Sequence, residues 1–146
     1  MLNMRRFNLY MLMLLGSVLM MSSCCNCGRR SAEPVDLQGV TWRLIELNGH
    51  VVPNQSDTTK FTVILSGNGE LNGRGDCNSY FGRFESATDG ELRLSPDGAT
   101  KAMCRDMKRE TEFLEMMPKV RSFKIDGNVL MLFDSAGQMV AALRKI

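Results

Sequence analysis

The stretch GRGDCNSYFG, residues 73–82 of the 146-residue chain, combines several residue types that have distinct structural or functional roles. It holds three glycines, one of only five cysteines, and an Arg-Gly-Asp tripeptide of the kind found in adhesion ligands. Glycines inside strand patterns are typical of bends and close backbone approaches. An adhesion ligand needs Asp76 at an exposed loop tip, yet Asp76 adjoins Cys77, an expected core or disulfide position. We therefore interpret the stretch as the centre of the scaffold.

Short runs in which apolar and polar residues alternate lie on both sides of this stretch. Such alternation is typical of half-buried strands. Turn residues of the Asn-Gly, Asp-Gly and Gly-Asn kinds separate the runs, and IDGNVLML is the clearest hairpin. In the first run, Trp42 and Leu44 are expected on one face, and Ile45 and Leu47 on the other. The runs are TWRLIELN, KFTVILS, ELRLS, RSFKID, NVLMLFD and MVAALRK, and we expect seven or eight strands in all.

Large apolar side chains are expected to fill the interior of this sheet. Tyr80, Phe81 and Phe84 should supply apolar faces around residues 73–82. A small barrel either fills its interior with side chains or holds one small ligand. The large residues that favour a filled interior are Trp42, Phe61, Phe84 and Phe133.

One segment has helical rather than alternating periodicity, and it predicts a helix over residues 106–117. Pro118 is expected to end the helix, since proline cannot continue the hydrogen-bond ladder. Glu110 and Glu112 are expected on the solvated polar face. The apolar face comprises Met107, Phe113, Leu114 and Met117. Many short antiparallel strands with one helix predict a mainly β fold: a small barrel-like fold or a strongly curved sheet with the helix packed on it.

The first 23 residues have the features of a lipoprotein signal peptide. Arg5 and Arg6 form a positive start, residues 9–21 form an apolar run, and two small serines lead into Cys24. The apolar run is short for a membrane-spanning helix, which needs about 20 residues. We therefore predict cleavage before Cys24 and lipidation of its thiol, which would anchor the protein in a membrane.

The remainder divides into a lipidated flexible tether over residues 24–35 and a globular domain over residues 36–146. No Asp and no acidic run follows Cys24, so we expect an outer-membrane lipoprotein of the cell envelope that faces the periplasm. The signal segment holds two of the 18 basic residues and none of the 16 acidic ones, which leaves a neutral remainder. Neutrality argues against nucleic-acid binding, which depends on neutralising phosphates. We expect a monomer with an unidentified envelope protein partner.

Catalytic chemistry is not indicated by the sequence. His50 is the only histidine, so neither a histidine-based triad nor a multi-histidine metal site can form, and we expect it in a solvated loop. The glycines around Gly67 are not followed by a helix, as a phosphate-binding loop requires. We predict no catalytic residue, no metal and no cofactor.

The cysteines divide into two groups. Lipid would consume the Cys24 thiol, and Cys25 and Cys27 alone are too few for a tetrahedral zinc site. Cys77 and Cys104 lie in the globular part, and an exported protein meets an oxidising environment. A structural disulfide between them would close a loop of about thirty residues and contribute about 3–4 kcal/mol. The alternative is two buried reduced thiols that pack as small hydrophobes.

Four segments together carry a resemblance to a known family: GVTWRLIELNG, GRGDCNSYFGRFES, ATKAMC and the final hairpin. They resemble a META domain across essentially all of residues 36–146. The matching motif residues are Trp42, Gly73, Cys77, Asn78, Tyr80, Gly82, Thr100 and Cys104.

The resemblance implies a small antiparallel β fold with one helix and no known enzymatic activity. Family members of the HslJ-like kind are envelope lipoproteins linked to heat shock and to tolerance of the antibiotic novobiocin. Two interpretations stay open beside each other. The first is a non-catalytic envelope domain that acts through protein partners; the second is a small-barrel carrier of an apolar ligand. A thiol- or metal-handling envelope protein is a weaker third.

Overall fold

The computed structural model describes residues 36–53, 57–87, 89–104 and 107–146. The predicted signal peptide of residues 1–23, the tether of residues 24–35 and the lipidation of Cys24 lie outside the described residues. Within these four ranges, no helix is long and apolar enough to cross a membrane.

The described residues form nine strands and one α-helix. The strands are β1 (Thr41–Leu47), β2 (His50–Val51), β3 (Thr62–Leu65), β4 (Glu70–Arg74), β5 (Ser79–Ser86), β6 (Leu92–Ala99), β7 (Ser122–Asp126), β8 (Val129–Phe133) and β9 (Met139–Lys145). Helix α1 (Lys108–Met116) lies between β6 and β7 and runs into a 3₁₀ turn, Met117–Lys119. The ninth strand is β2, whose two residues are too short to show an alternating pattern.

All neighbouring strands pair antiparallel in one sheet, in the order β6-β5-β4-β3-β1-β9-β8-β7, while β2 pairs with β1. The two ends of this order meet at one corner, where Glu91 forms a bridge with Ser122. The Leu92 amide also donates to the Arg121 carbonyl at 3.0 Å. An antiparallel sheet whose outer strands meet in this way is strongly curved, which confirms the predicted fold class.

A single apolar cluster fills the interior of the curved sheet and receives one face of α1. Trp42 is fully buried, and its indole N–H donates to the Leu37 carbonyl at 2.9 Å. Phe113 of α1 meets Phe61 and Tyr80 edge to face, with ring centroids 5.6 and 6.0 Å apart. These contacts fix the helix on the sheet, as predicted.

The face that Leu47 occupies was predicted wrongly. Leu47 is buried on the same side as Trp42 and Leu44, because the pairing of β1 with β9 shifts by one residue between Leu44 and Glu46. A bulge of this kind exchanges the two faces of the strand beyond it.

Two aromatic residues also differ from expectation. Phe133 is only half-buried, because it lies on the face of β8 opposite Leu130 and Leu132. Phe81 is 58% exposed, and its ring lies against Gly98 of β6. Phe81 therefore covers a glycine on the outer face of the sheet instead of joining the core.

The helix is shorter than predicted, and its buried face is rotated. It ends at Met116, and Pro118 lies in the 3₁₀ turn. Met107 and Leu114 are half-buried. The buried residues of α1 and the turn are Glu110, Phe113, Met116 and Met117.

Gly73 and Gly82 allow close strand contacts, as the sequence predicted. A methyl group on Gly73 would overlap the Thr62 carbonyl and the Tyr80 phenol. The Tyr80 hydroxyl uses this space to donate to the Thr62 carbonyl at 2.6 Å. On Gly82, a methyl group would overlap the Ser95 carbonyl.

Candidate functional site

Three of the residues singled out by the sequence, Cys77, Asn78 and Thr100, come together at the first turn of α1, whereas Trp42, Gly73 and Gly82 lie within the sheet. The segment between β4 and β5 passes over this turn, and the segment that follows β6 runs beside it. Three side chains join these elements: Asn78, Thr100 and Glu110. We refer to these three residues, with Cys77 and Ala102, as the polar cluster.

The carboxylate of Glu110 is the centre of the polar cluster. One oxygen, Oε2, accepts hydrogen bonds from the amides of Cys77 at 2.7 Å and Asn78 at 3.0 Å. The other oxygen, Oε1, accepts from Asn78 Nδ2 at 2.6 Å. Glu110 is only 2% exposed, so the prediction of a solvated position was wrong.

The environment of Glu110 has opposing effects on its pKa. Burial raises the pKa, since it penalises the charged form. The Cys77 amide, the Asn78 side chain and the Asn78 amide stabilise the carboxylate and outweigh burial, so the pKa is below its ordinary value. Glu110 is therefore an ionised acceptor and not a proton donor at neutral pH.

Asn78 uses both ends of its side-chain amide. Its Oδ1 accepts from the Thr100 hydroxyl at 2.9 Å and from the Ala102 amide at 2.7 Å. Its Nδ2 donates to Glu110 and also to the Ala102 carbonyl at 3.2 Å. One buried side chain thus joins the segment before β5, the segment after β6 and the helix.

Cys77 and Cys104 are joined by a disulfide, with their Cα atoms 6.2 Å apart. The link connects the segment before β5 with the segment before α1, next to the polar cluster. Cys77 is half-buried and Cys104 is exposed. The disulfide therefore lies at the surface and not in the core.

The Arg-Gly-Asp tripeptide is part of the same scaffold. A methyl group on Gly75 would lie 2.6 Å from Glu110 Oε2, so glycine is what lets the backbone pass over the carboxylate. Asp76 forms an ion pair with Lys60 at 2.8 Å. Arg74 ends β4, Gly75 is buried against Glu110 and Asp76 is half-buried, so the tripeptide is not presented at a loop tip.

The polar cluster has the character of a structural network. In the described part of the chain, every buried side-chain nitrogen or oxygen has a hydrogen-bond partner. The same residues contain no group of three or more His, Cys, Asp or Glu side chains that could hold a metal. His50 is exposed on β2 and lines a surface cleft of about 400 Å³ with Lys108, Arg109 and Glu112.

Sequence reasoning found Cys77, Asn78 and Thr100 but missed Glu110. The signal was present, because Glu110 precedes Phe113 by three residues and Met117 by seven. These are the spacings of one helical face. A charged residue within an apolar face indicates a buried partner, and here the partners are backbone amides contributed by distant residues.

Comparison with known proteins agrees with this architecture. The chain is similar to a solved DUF4847 family protein from Bacteroides vulgatus, with a TM-score of 0.57 and 13% identity over 72% of this chain and 91% of that one. A second solved structure, determined by NMR, has a TM-score of 0.53 and 20% identity over 74% of this chain and 90% of that one. At these identities the likeness concerns the fold alone. No curated protein matches the chain.

The family profile described as META domain matches residues 35–145, which is nearly the whole of the globular part. This range contains all eight motif residues named from the sequence. The chain therefore belongs to the META domain family.

Proposed function

We propose that this protein is a lipid-anchored, non-catalytic domain of the cell envelope that acts through protein partners. The observation that carries the proposal is that the buried carboxylate of Glu110 accepts hydrogen bonds from three N–H donors of the motif residues Cys77 and Asn78. A general acid or base needs a carboxyl group that can exchange protons with a substrate. Glu110 instead stabilises the scaffold, which leaves the outer surface as the functional part.

The packed interior supports this proposal over the alternative of an apolar carrier. The side chains that occupy the centre of the described residues are large and fully buried: Trp42, Phe61, Phe113 and Leu143 among them. A carrier needs interior space for its ligand. A cleft of about 260 Å³ does exist beside β1 and β2, between Arg43, Val52 and Arg144, but it lies at the surface and not in the interior that a carrier would use.

The anchor and the compartment are inferred from the sequence. Small residues before Cys24 support lipidation of its thiol, and the residues after it support an outer-membrane position facing the periplasm. The balanced charge of the remaining residues supports a protein partner over nucleic acid. We further propose that the domain acts as a monomer on its tether.

Replacement of Cys24 by Ser is expected to abolish lipid attachment. The full-length gene is expressed in a bacterium that processes lipoproteins, with radiolabelled palmitate in the medium. The wild-type protein should carry label and sediment with membranes. The Cys24→Ser variant should carry none, because serine lacks the thiol that accepts the lipid.

Cys25→Ser is the matched control for this experiment, since it removes the neighbouring thiol and leaves the cleavage position intact. It should be labelled like the wild type. Label that persists in Cys24→Ser, or that is lost in Cys25→Ser, would show that the anchor has been assigned to the wrong residue.

The proposed role is in envelope stress or antibiotic tolerance, and novobiocin is the test compound. Deletion of the gene in the bacterium that encodes it is expected to lower the novobiocin concentration that inhibits growth. Wild-type protein should restore tolerance, whereas Cys24→Ser should not, because an unanchored domain is not held near its partner. A deletion strain as tolerant as its parent would argue against this role.

Identification of the partner requires cross-linking of the lipidated protein in its own envelope. A specific protein adduct is the expected result. Co-purified lipid without a protein adduct would favour the carrier instead.

A further inference from the structure

The disulfide lies at an exposed segment of the chain. Cys104 and the three residues before it are all exposed, and Met103 is 98% exposed. Cys77, in contrast, is half-buried and its amide is fixed on Glu110. Thiol–disulfide exchange requires access of a thiolate to one sulfur, and exposed disulfides are the labile ones. Cys104 is therefore the more exposed of the two linked residues.

Hydrogen bonds hold the surrounding elements together without the disulfide. Glu110 joins the helix to Cys77 and Asn78, and Asn78 joins the same segment to Thr100 and Ala102. The disulfide adds one further connection at Cys104, which follows Ala102, the last hydrogen-bonded residue of this segment, along the chain. Its removal would release Cys104 and leave the hydrogen bonds of the polar cluster in place.

The energies agree with a fold that survives reduction. A disulfide that closes a loop of this length contributes less than the net stability of a typical small domain. The apolar core of Trp42, Phe61 and Phe113 does not include either cysteine.

We propose that the Cys77–Cys104 disulfide is an exchange site, attacked at Cys104 Sγ by a dithiol reductant while the domain stays folded. A thiolate of the dithiol forms a bond to Cys104 Sγ, and the bond to Cys77 Sγ breaks. Cys77 leaves as a thiolate and takes up a proton. The second thiol of the reductant then attacks the mixed disulfide and releases Cys104. The reductant ends as a disulfide, and two electrons have passed to this protein.

Exchange at Cys104 requires neither the lipid anchor nor the stress role. Cys104 would be the site of covalent modification, and the structural consequence would be confined to its surroundings at the surface. The reduced form would differ from the oxidised form at the surface and not in the core.

The test uses the full chain in detergent with Cys24, Cys25 and Cys27 each replaced by Ser, so that Cys77 and Cys104 are its remaining cysteines. Dithiothreitol is the reductant, and the rate of reduction is compared with the rate of global unfolding under the same conditions. We expect the rate to rise linearly with dithiothreitol and to exceed the unfolding rate by about tenfold or more. A rate that levels off at the unfolding rate would overturn the proposal.

Two further measurements locate the reaction. Brief exposure to glutathione, acid quenching and peptide mapping should place the mixed disulfide on Cys104 about tenfold more often than on Cys77. After full reduction, hydrogen exchange should stay slow at the amides of Cys77, Asn78 and Ala102. Equal modification of both cysteines, loss of protection at all three amides, or two free thiols in the untreated protein would each contradict the proposal.

Discussion

Replacement of Glu110 by Gln is expected to lower the free energy of unfolding by about 3 kcal/mol. Three N–H groups donate to this carboxylate from the segment that precedes β5. Glutamine places an N–H₂ group against some of these donors and removes the charge that strengthens all three bonds. Urea denaturation with a common slope for wild type and variant measures the difference.

Glu112→Gln is the matched control, because it makes the same change two residues away on the same helix. Glu112 contacts Lys108 at 3.9 Å in a largely exposed ion pair. Such pairs contribute about 0.5 kcal/mol or less. Similar losses in the two variants would show that Glu110 has no special structural role.

The same carboxylate makes stability depend on pH. Because the folded state lowers the pKa of Glu110, the unfolded state binds the proton more readily, and the stabilisation is complete above the ordinary carboxyl range. It is lost as the pH falls through the lowered pKa of the folded state. The difference between wild type and Glu110→Gln should therefore shrink as the solution is acidified, and a constant difference would contradict this explanation.

Truncation of Trp42 to Ala is expected to cost about 4 kcal/mol. The side chain is fully buried in the centre of the core, so its removal leaves a cavity among residues held by the surrounding sheet. It also leaves the Leu37 carbonyl without the indole N–H donor. Thermal and urea unfolding of the purified domain measure the loss.

Trp42→Phe separates the two contributions. Phenylalanine keeps most of the apolar volume but cannot donate to Leu37, so about 2 kcal/mol should be lost. A Phe variant as unstable as the Ala variant would assign the effect to the hydrogen bond. An Ala variant as stable as the wild type would show that Trp42 does not anchor the core.

The sheet was predictable wherever local alternation determines which side chains are buried. Leu92 and Leu94, for example, are buried on β6 as alternation requires. The position of Leu47 was not predictable, because it depends on a register shift against β9, nearly a hundred residues away in sequence. Phe81 was misjudged for a related reason: the close approach of Gly98 on the neighbouring strand gives its ring a place on the outer face.

The polar cluster was predictable only in part. Cys77, Asn78 and Thr100 were recognisable from the family motif, and the position of both cysteines in the globular part of an exported protein suggested their link. Glu110 was placed in solvent because charged helix residues usually lie there. The helical spacing already placed Glu110 on the apolar face, but its partners are amides over thirty residues earlier in the chain, which local periodicity cannot identify.

We expect Glu110 to be a structural anion that holds the backbone of Cys77 and Asn78 on the helix. The most direct measurement is an NMR titration of the Glu110 side-chain carboxyl carbon in ¹³C-labelled protein, with Glu112 observed in the same spectra. We predict a pKa for Glu110 below the ordinary glutamate value of about 4.3. A pKa at or above that value would contradict this expectation, since it would mean that the three N–H donors do not favour the charged carboxylate over its neutral form.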